Sequence, residues 1–150
     1  MYKFKSEYFL FMGKILVPID GSPNSVRGLE KAIEFAKNDN SSITLLHIAL
    51  LPPVHVLGHS KDKVKKSLAK NAQKFINDAE DRCTNQNIQF TTKLIYGSDP
   101  PYDIEQFARK YKHDMIVIGA KGKSTLKRLF LGSVSSYVVE TSKTPVTVIK

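Results

Sequence analysis

One stretch of the chain concentrates the residue types that bind phosphate in proteins. Residues 119–136 hold three glycines, four serines and four basic residues. Glycine lets an anion approach the backbone, and N–H groups and hydroxyls at the start of a helix can donate hydrogen bonds to it. Gly132 directly precedes a helical pattern, so the hydroxyls of Ser133 and Ser135 are candidate donors. The stretch indicates an anion site, and the alternative is an unliganded loop with Ser133 as a helix cap.

Two familiar phosphate motifs do not fit this stretch. Gly122-Lys123-Ser124 resembles the end of a P-loop, but the first glycine of that motif would fall at Val117, inside an apolar run. The G-x-G-x-x-G pattern is also absent from the sequence.

Four basic residues lie close together in the loop: Lys121, Lys123, Lys127 and Arg128. We therefore expect a basic loop that closes over a bound phosphate group.

The elements that must position this loop alternate regularly from Lys14 onward. Short apolar runs predict strands over 15–19, 43–50, 90–96, 115–118 and 146–149. Helical spacing of apolar residues predicts helices near 24–36, 61–83, 101–111 and 133–141. Continuous apolar strands joined by helices are typical of a parallel sheet covered on both faces. Ligands bind such sheets beyond the carboxyl ends of the strands, so the segment after the first strand, residues 20–22, joins the candidate site.

Composition limits the classes of protein that the chain can be. Its 150 residues, 41% hydrophobic and 25% charged, are ordinary for a single globular domain. One cysteine, Cys83, excludes an intrachain disulfide framework and a cysteine-rich zinc site. The net charge of +9 favours an anionic partner, which could be nucleic acid, a membrane surface or a small ligand. No apolar run approaches the ~18 residues of a membrane-spanning helix, so we expect no membrane partner.

Several residues that could do chemistry have a simpler interpretation. His47 lies within an apolar run and is expected to be a core histidine, and no pair of histidines has metal-ligand spacing. Four lysines recur along one side of the predicted helix 61–83, namely Lys63, Lys66, Lys70 and Lys74. We expect them to form a solvated surface, because no aromatic residues interleave with them as a single-strand-binding surface would need.

The sequence resembles the universal stress protein family. The pattern of its ATP-binding members, G-x2-G-x9-G-[ST], is met by Gly119, Gly122, Gly132 and Ser133. Four more segments match the family in the same order: 14–22, 45–48, 97–100 and 144–148. The resemblance covers residues 13–150 and implies one adenine-nucleotide α-hydrolase-like domain, a Rossmann-like α/β fold. That fold has a five-stranded parallel sheet of order 3-2-1-4-5 with helices on both faces. Residues 1–12 are expected to be an extension outside it, native or added.

The same resemblance implies a set of site residues. Nucleotide-binding positions are Pro18, Ile19, Asp20, Ile48, Ile118, Gly119, Gly122, Gly132, Ser133, Val134 and Ser135. Asp20 would face the ribose or, through Mg or Mn, the phosphates. Ile48 would pair with adenine through its backbone, and Ile118 would pack on the base.

The function implied is that of an ATP-binding regulator in the stress response. We expect it to be cytoplasmic and homodimeric through strand 146–149, because an edge strand this apolar would otherwise invite aggregation. No general base is evident for attack by water, so we expect at most weak ATP hydrolysis. The alternatives are a slow ATPase or nucleotide-activating enzyme on the same fold and, less favoured, a basic nucleic-acid-binding module.

Overall fold

Strands and helices of the protein follow the apolar patterns of the sequence closely. The computed structural model describes residues 13–122 and 131–150. The strands of this part are β1 (Lys14–Pro18), β2 (Ser42–Leu50), β3 (Phe90–Gly97), β4 (Met115–Gly119) and β5 (Val146–Ile149). The helices are α1 (Pro23–Asp39), α2 (Val54–Leu57), α3 (Lys61–Asn85), α4 (Pro100–Lys110) and α5 (Ser133–Thr141).

The strands form one parallel sheet in the order β3-β2-β1-β4-β5, which confirms the predicted fold class. The central strand β1 pairs with β2 on one side and β4 on the other; Leu16, for example, lies opposite both Thr44 and Ile116. The strand order reverses between β1 and β4. A crevice therefore opens beyond the carboxyl ends of these two strands, where the connections turn to opposite faces.

A separate apolar core lies on each face of the sheet. Alternate residues of a strand point to opposite faces, so Ile15 and Val17 pack in one core while Leu16 packs in the other. The first core joins the sheet to α1 and α3, and the second joins it to α4 and α5. Covering both faces explains why β1, β2 and β4 are mostly apolar.

Local residues set where the helices begin. The hydroxyl of Ser22 accepts a hydrogen bond from the N–H of Ser25 at 3.1 Å and caps α1, and Asp99 caps α4 by accepting from the N–H of Tyr102 at 3.4 Å. Proline occupies the first turn of both helices, where its missing N–H costs nothing. No pattern in the sequence indicates α2 or the 3-10 turn Gly58–Ser60 that joins it to α3. One turn is too short to show a period.

Candidate functional site

A cleft of about 500 Å³ opens at the carboxyl edge of the sheet, within the size range of small-molecule sites. All eleven nucleotide-binding positions that the family resemblance implied line it: Pro18, Ile19, Asp20, Ile48, Ile118, Gly119, Gly122, Gly132, Ser133, Val134 and Ser135. These residues come from four separate parts of the chain. The fold brings them together because β1, β2 and β4 all end at this edge.

The start of α5 supplies the most polar part of the cleft. The first N–H groups of a helix have no carbonyl partner within it, and here they belong to Ser133, Val134 and Ser135. The N-cap residue, Gly132, has no side chain that could accept from them. Three N–H donors and the positive end of the helix dipole therefore meet at the cleft, an arrangement suited to an anion.

The hydroxyl of Ser135 has a different task from the one expected. The side chain is only 2% exposed, and its Oγ donates to the carbonyl oxygens of Ala120 at 2.7 Å and Gly132 at 3.1 Å. Its proton is thus used within the protein, and the expectation that this hydroxyl donates to a phosphate is wrong. The Ser135 hydroxyl instead stabilises the start of α5, and only the backbone N–H of Ser135 can donate a hydrogen bond into the cleft. Ser133, by contrast, is exposed.

Asp20 lies opposite this helix start, in the turn between β1 and α1. Its Oδ1 accepts from the N–H of Ser22 at 2.9 Å. Its Oδ2 lies 2.8 Å from the point where a side chain on Gly122 would begin, so a larger residue there would have to displace the carboxylate. Among the lining residues that the structure describes, Asp20 is the only carboxylate.

The backbone of Ile48 presents a donor and an acceptor to the cleft. The carbonyl of Leu46 accepts from the N–H of Ile19 at 2.8 Å, so Leu46 points its polar groups toward β1. Alternate residues of a strand point these groups to the same side, and Ile48 therefore also points toward β1. Because β1 ends at Pro18, the N–H and C=O of Ile48 reach past it into the cleft.

Gly119 is required first for packing. A Cβ built on it would lie 2.6 Å from the carbonyl carbon and oxygen of Asn24 and 2.8 Å from the N of Ser25. Gly28, one turn further along α1, approaches the same strand end, since its Cβ would lie 3.2 Å from the N of Gly119. This glycine pair lets α1 lie directly against the end of β4. The sequence had placed Gly119 at the end of a strand and among the nucleotide-binding residues, without indicating this packing role.

His47 lies in the cleft wall rather than in the core that the sequence indicated. It is half-buried, and its Nδ1 donates to the carbonyl oxygen of Ile19 at 2.9 Å, since a carbonyl can only accept. The ring also meets Phe75 edge to face, with centroids 4.9 Å apart. His47 thus ties β2 to the end of β1 and holds Phe75 of α3 against the cleft.

Helices α3 and α4 add a wall that the sequence did not assign to the site. Leu68, Asn71 and Phe75 line the cleft from α3, and Pro100 and Ile104 line it from α4. A crossover helix of a parallel sheet begins at the carboxyl edge, so its first turns can reach past the strands. Leu68 and Phe75 are only half-buried, although Ala72 and Ile76 on the same side of α3 are buried. This difference is expected for side chains that extend past the sheet.

Part of the predicted site lies outside the described residues. Of the basic loop, Lys121 lines the cleft, whereas Lys123, Lys127 and Arg128 are not described. The predicted extension 1–12 is also outside them. Within the described ranges no group of three or more His, Cys, Asp or Glu residues is placed to hold a metal ion. Nor does any helix in these ranges have the length and apolar character needed to cross a bilayer.

Comparison with known proteins identifies the family. The profile of the universal stress protein family matches residues 12–150, nearly the whole chain. The chain belongs to the universal stress protein family. Among its relatives is universal stress protein YxiE of Bacillus subtilis, which is 30% identical over 146 residues, covering 91% of this chain and 98% of YxiE.

Solved structures of the family share the fold. The structure of MJ0577 of Methanocaldococcus jannaschii superposes with a TM-score of 0.83 at 25% identity, covering 93% of this chain and 96% of that one. A universal stress protein from Archaeoglobus fulgidus, solved in complex with dAMP, superposes with a TM-score of 0.65 at 22% identity, covering 94% and 99%. The sheet order and helix arrangement are therefore those of universal stress proteins.

Proposed function

We propose that this universal stress protein binds ATP in the cleft and acts as a nucleotide-dependent regulator. The observation that carries the proposal is that the uncapped start of α5 and Ile48 line one apolar cleft. One end of the cleft is thus suited to phosphate and the other to a flat base. The dAMP complex of the Archaeoglobus relative is consistent with an adenine nucleotide here.

The phosphates would be held by backbone groups. The N–H groups of Ser133, Val134 and Ser135 have no partner within α5. Hydrogen bonds to a charged acceptor contribute about 1.5–3 kcal/mol each, against about 0.3–1 kcal/mol for the helix dipole. Direct donation by these N–H groups would therefore supply most of the affinity at this end, with Lys121 adding positive charge.

Adenine would be recognised by Ile48. The N–H and C=O of this residue form a donor and acceptor pair, which complements the acceptor N1 and the amino group of adenine. Guanine presents a donor at N1 and an acceptor at O6, so both groups would be mismatched. The side chains of Ile48 and Ile118, which pack in the same core, would contact the faces of the base.

Asp20 would act through the metal ion that accompanies ATP. Its Oδ1 is engaged by Ser22, and its Oδ2 faces Gly122 on the opposite side of the cleft. A carboxylate at this place fits Mg or Mn held mainly by phosphate oxygens, or a ribose hydroxyl. The ion, when bound, would neutralise phosphate charge close to Asp20.

Binding fits the lining better than catalysis does. Asp20 and His47 are the only carboxylate and imidazole among the described lining residues, and the Nδ1 of His47 donates to Ile19. The ring of His47 packs edge to face against Phe75, and Oδ1 of Asp20 accepts from the N–H of Ser22, so both side chains have structural tasks in the protein. Slow ATP hydrolysis is the alternative, and phosphate release measured with and without Asp20→Asn would distinguish the two.

The proposed regulator is a cytoplasmic homodimer. The edge strand β5 pairs with β4, and all four of its residues are only half-buried. Tyr137 and Val139 of α5, the preceding helix, are 38% and 45% exposed. Pairing two copies along β5 would cover the open edge and give these side chains an apolar partner.

Titration calorimetry tests the nucleotide assignment directly. We expect ATP with Mg to bind with a Kd near 1 μM, about −8 kcal/mol. GTP should bind at least about 30-fold more weakly, because each of the two mismatched backbone groups costs about 1–3 kcal/mol. Absence of saturation up to millimolar Mg-ATP would contradict the proposal, and equal affinity for GTP would contradict the role of Ile48.

A further inference from the structure

A row of lysines runs along the outer side of α3. Lys63, Lys66, Lys70 and Lys74 recur every three or four residues, so they share one side of the helix, and all four are exposed. We call these four residues the lysine stripe. It extends about 17 Å along the helix axis at 1.5 Å per residue. The residues of α3 that are buried, such as Ala72 and Ile76, lie on the opposite side.

The stabilisation of α3 does not explain the lysine stripe. The ion pairs of the described residues are Lys31–Glu34, Arg82–Glu30 and Arg109–Glu105, and none involves the stripe. Residues 61–76 carry six lysines and one aspartate, whereas 77–85 carry three acidic residues and one arginine. The helix macrodipole favours the opposite distribution. Positive charge is therefore concentrated where it contributes little to folding.

Exposed apolar side chains adjoin the positive end of α3. Val54 and Val56 of α2 are 85% and 65% exposed, and α2 leads into α3 through the turn Gly58–Ser60. Pro52 and Pro53 precede α2, and their fixed φ angles restrict the backbone that leads into this helix. The protein thus presents two aliphatic side chains on a short helix beside a row of cations.

The composition of this surface favours a lipid over other anionic partners. Lysine is depleted in protein interfaces, where Arg, Tyr, Trp and Met are enriched, and residues 51–76 contain none of those four. Single-stranded nucleic acid is bound through aromatic stacking, and the one Phe in this segment, Phe75, lines the cleft. Lysines flanking a few aliphatic side chains are suited to a negatively charged bilayer surface.

We propose that the lysine stripe, together with Val54 and Val56, docks the protein on an anionic phospholipid bilayer. The stripe side of α3 faces the membrane along its N-terminal half, the lysines contact lipid phosphates, and the exposed side chains of α2 contact lipid at the boundary between headgroups and acyl chains. Asp78 and Asp81, further along α3, lie beyond the contact. Docking at the surface needs no spanning helix.

Co-sedimentation with vesicles tests the proposal on the full-length protein. The vesicles contain equal parts of phosphatidylcholine and phosphatidylglycerol, in about 0.1 M salt, where charges act over about 10 Å. Near an anionic surface each lysine contributes about 1 kcal/mol, or about fivefold in partition coefficient. The triple change Lys63→Gln, Lys66→Gln and Lys70→Gln should therefore weaken binding about 100-fold. Changing Val54 and Val56 to Ser should weaken it about tenfold.

A matched control separates local docking from general charge. Lys37, Lys110 and Lys143 are exposed and lie outside α2 and α3. Changing these three to Gln alters the net charge equally, yet we expect less than a threefold loss. Equal losses in the two triple variants, no binding by the wild type, or wild-type binding by the valine variant would each overturn the proposal.

Two further measurements make the assignment specific. ATP affinity of the stripe variant should equal that of the wild type, because none of the lysines lines the cleft. Failure of ATP binding in the wild type would leave the docking result intact, so the two proposals can fail separately. Tighter binding of polyglutamate or single-stranded DNA than of vesicles, lost in the stripe variant, would assign the surface to an acidic macromolecule and overturn membrane docking.

Discussion

A carboxylate at the N-cap of α5 should separate folding from nucleotide binding. Gly132 has φ −77° and ψ 169°, an extended conformation open to any residue, so Gly132→Asp introduces no backbone strain. Its side chain can accept from the N–H groups at the start of α5. Asp exceeds Gly as an N-cap by a few tenths of a kcal/mol, and its charge adds about 0.3–1 kcal/mol through the dipole. The unliganded variant should therefore be as stable as the wild type, or slightly more so.

The same carboxylate should exclude ATP. It would use the donors that the phosphates need and place a negative charge about 4 Å from them. At that distance like charges repel by about 4 kcal/mol near a protein surface. Affinity should thus fall from micromolar to beyond millimolar. Gly132→Asn is the matched control, since it has the same shape and caps the helix without the charge, and it should retain more affinity than Gly132→Asp.

Thermal unfolding with and without ATP measures both the stability of the variant and its nucleotide binding. ATP at 100 times its Kd stabilises the wild type by about 2.7 kcal/mol, which corresponds to a rise in Tm of about 5–10 °C. For Gly132→Asp we expect an unchanged or slightly higher Tm without ATP and no rise with it. A folded Gly132→Asp protein that shows the wild-type rise would refute the phosphate role of the α5 start.

Three further predictions concern the edge strand, the packing of α1 and pH. Val148→Lys places a charge on β5 and should convert a wild-type dimer to monomer in light scattering; a monomeric wild type would contradict the proposed dimer. Gly119→Ala should lower the free energy of unfolding by about 1–3 kcal/mol in urea titrations, because the new methyl group meets the carbonyl of Asn24. Burial lowers the pKa of His113 below 6.5, so the unfolded chain binds its proton more readily; stability should fall as pH drops from 7 to 5, and less steeply in His113→Gln.

Sequence patterns predicted the five strands and the four long helices because each is long enough to show its apolar pattern. The run 43–50 is mostly apolar because β2 is covered on both faces, and the structure places the strand at Ser42–Leu50. Candidate site residues such as Asp20 and Gly119 could be found because they lie at or just beyond the carboxyl ends of strands. Position along a parallel strand determines which edge a residue reaches, so these could be predicted without coordinates.

Other features depend on distances that no pattern contains. The apolar spacing of α3 predicts which side of the helix faces the sheet, but not that Leu68 and Phe75 lie where the sheet has ended. The hydroxyl of Ser135 is equally suited by type to a phosphate or a carbonyl, and only the position of Ala120 decides between them. The role of Gly119 likewise depends on how closely α1 approaches β4.

The carbonyl oxygen of Ala120 joins the end of β4 to the start of α5. It accepts from the N–H of Gly132 and from the hydroxyl of Ser135, each at 2.7 Å. These two hydrogen bonds join the residues on either side of the segment 121–131. Substitutions between these two ends are therefore expected to leave the end of β4 and the start of α5 in place. Ligand preference at this edge can diversify while the sheet beneath it stays the same.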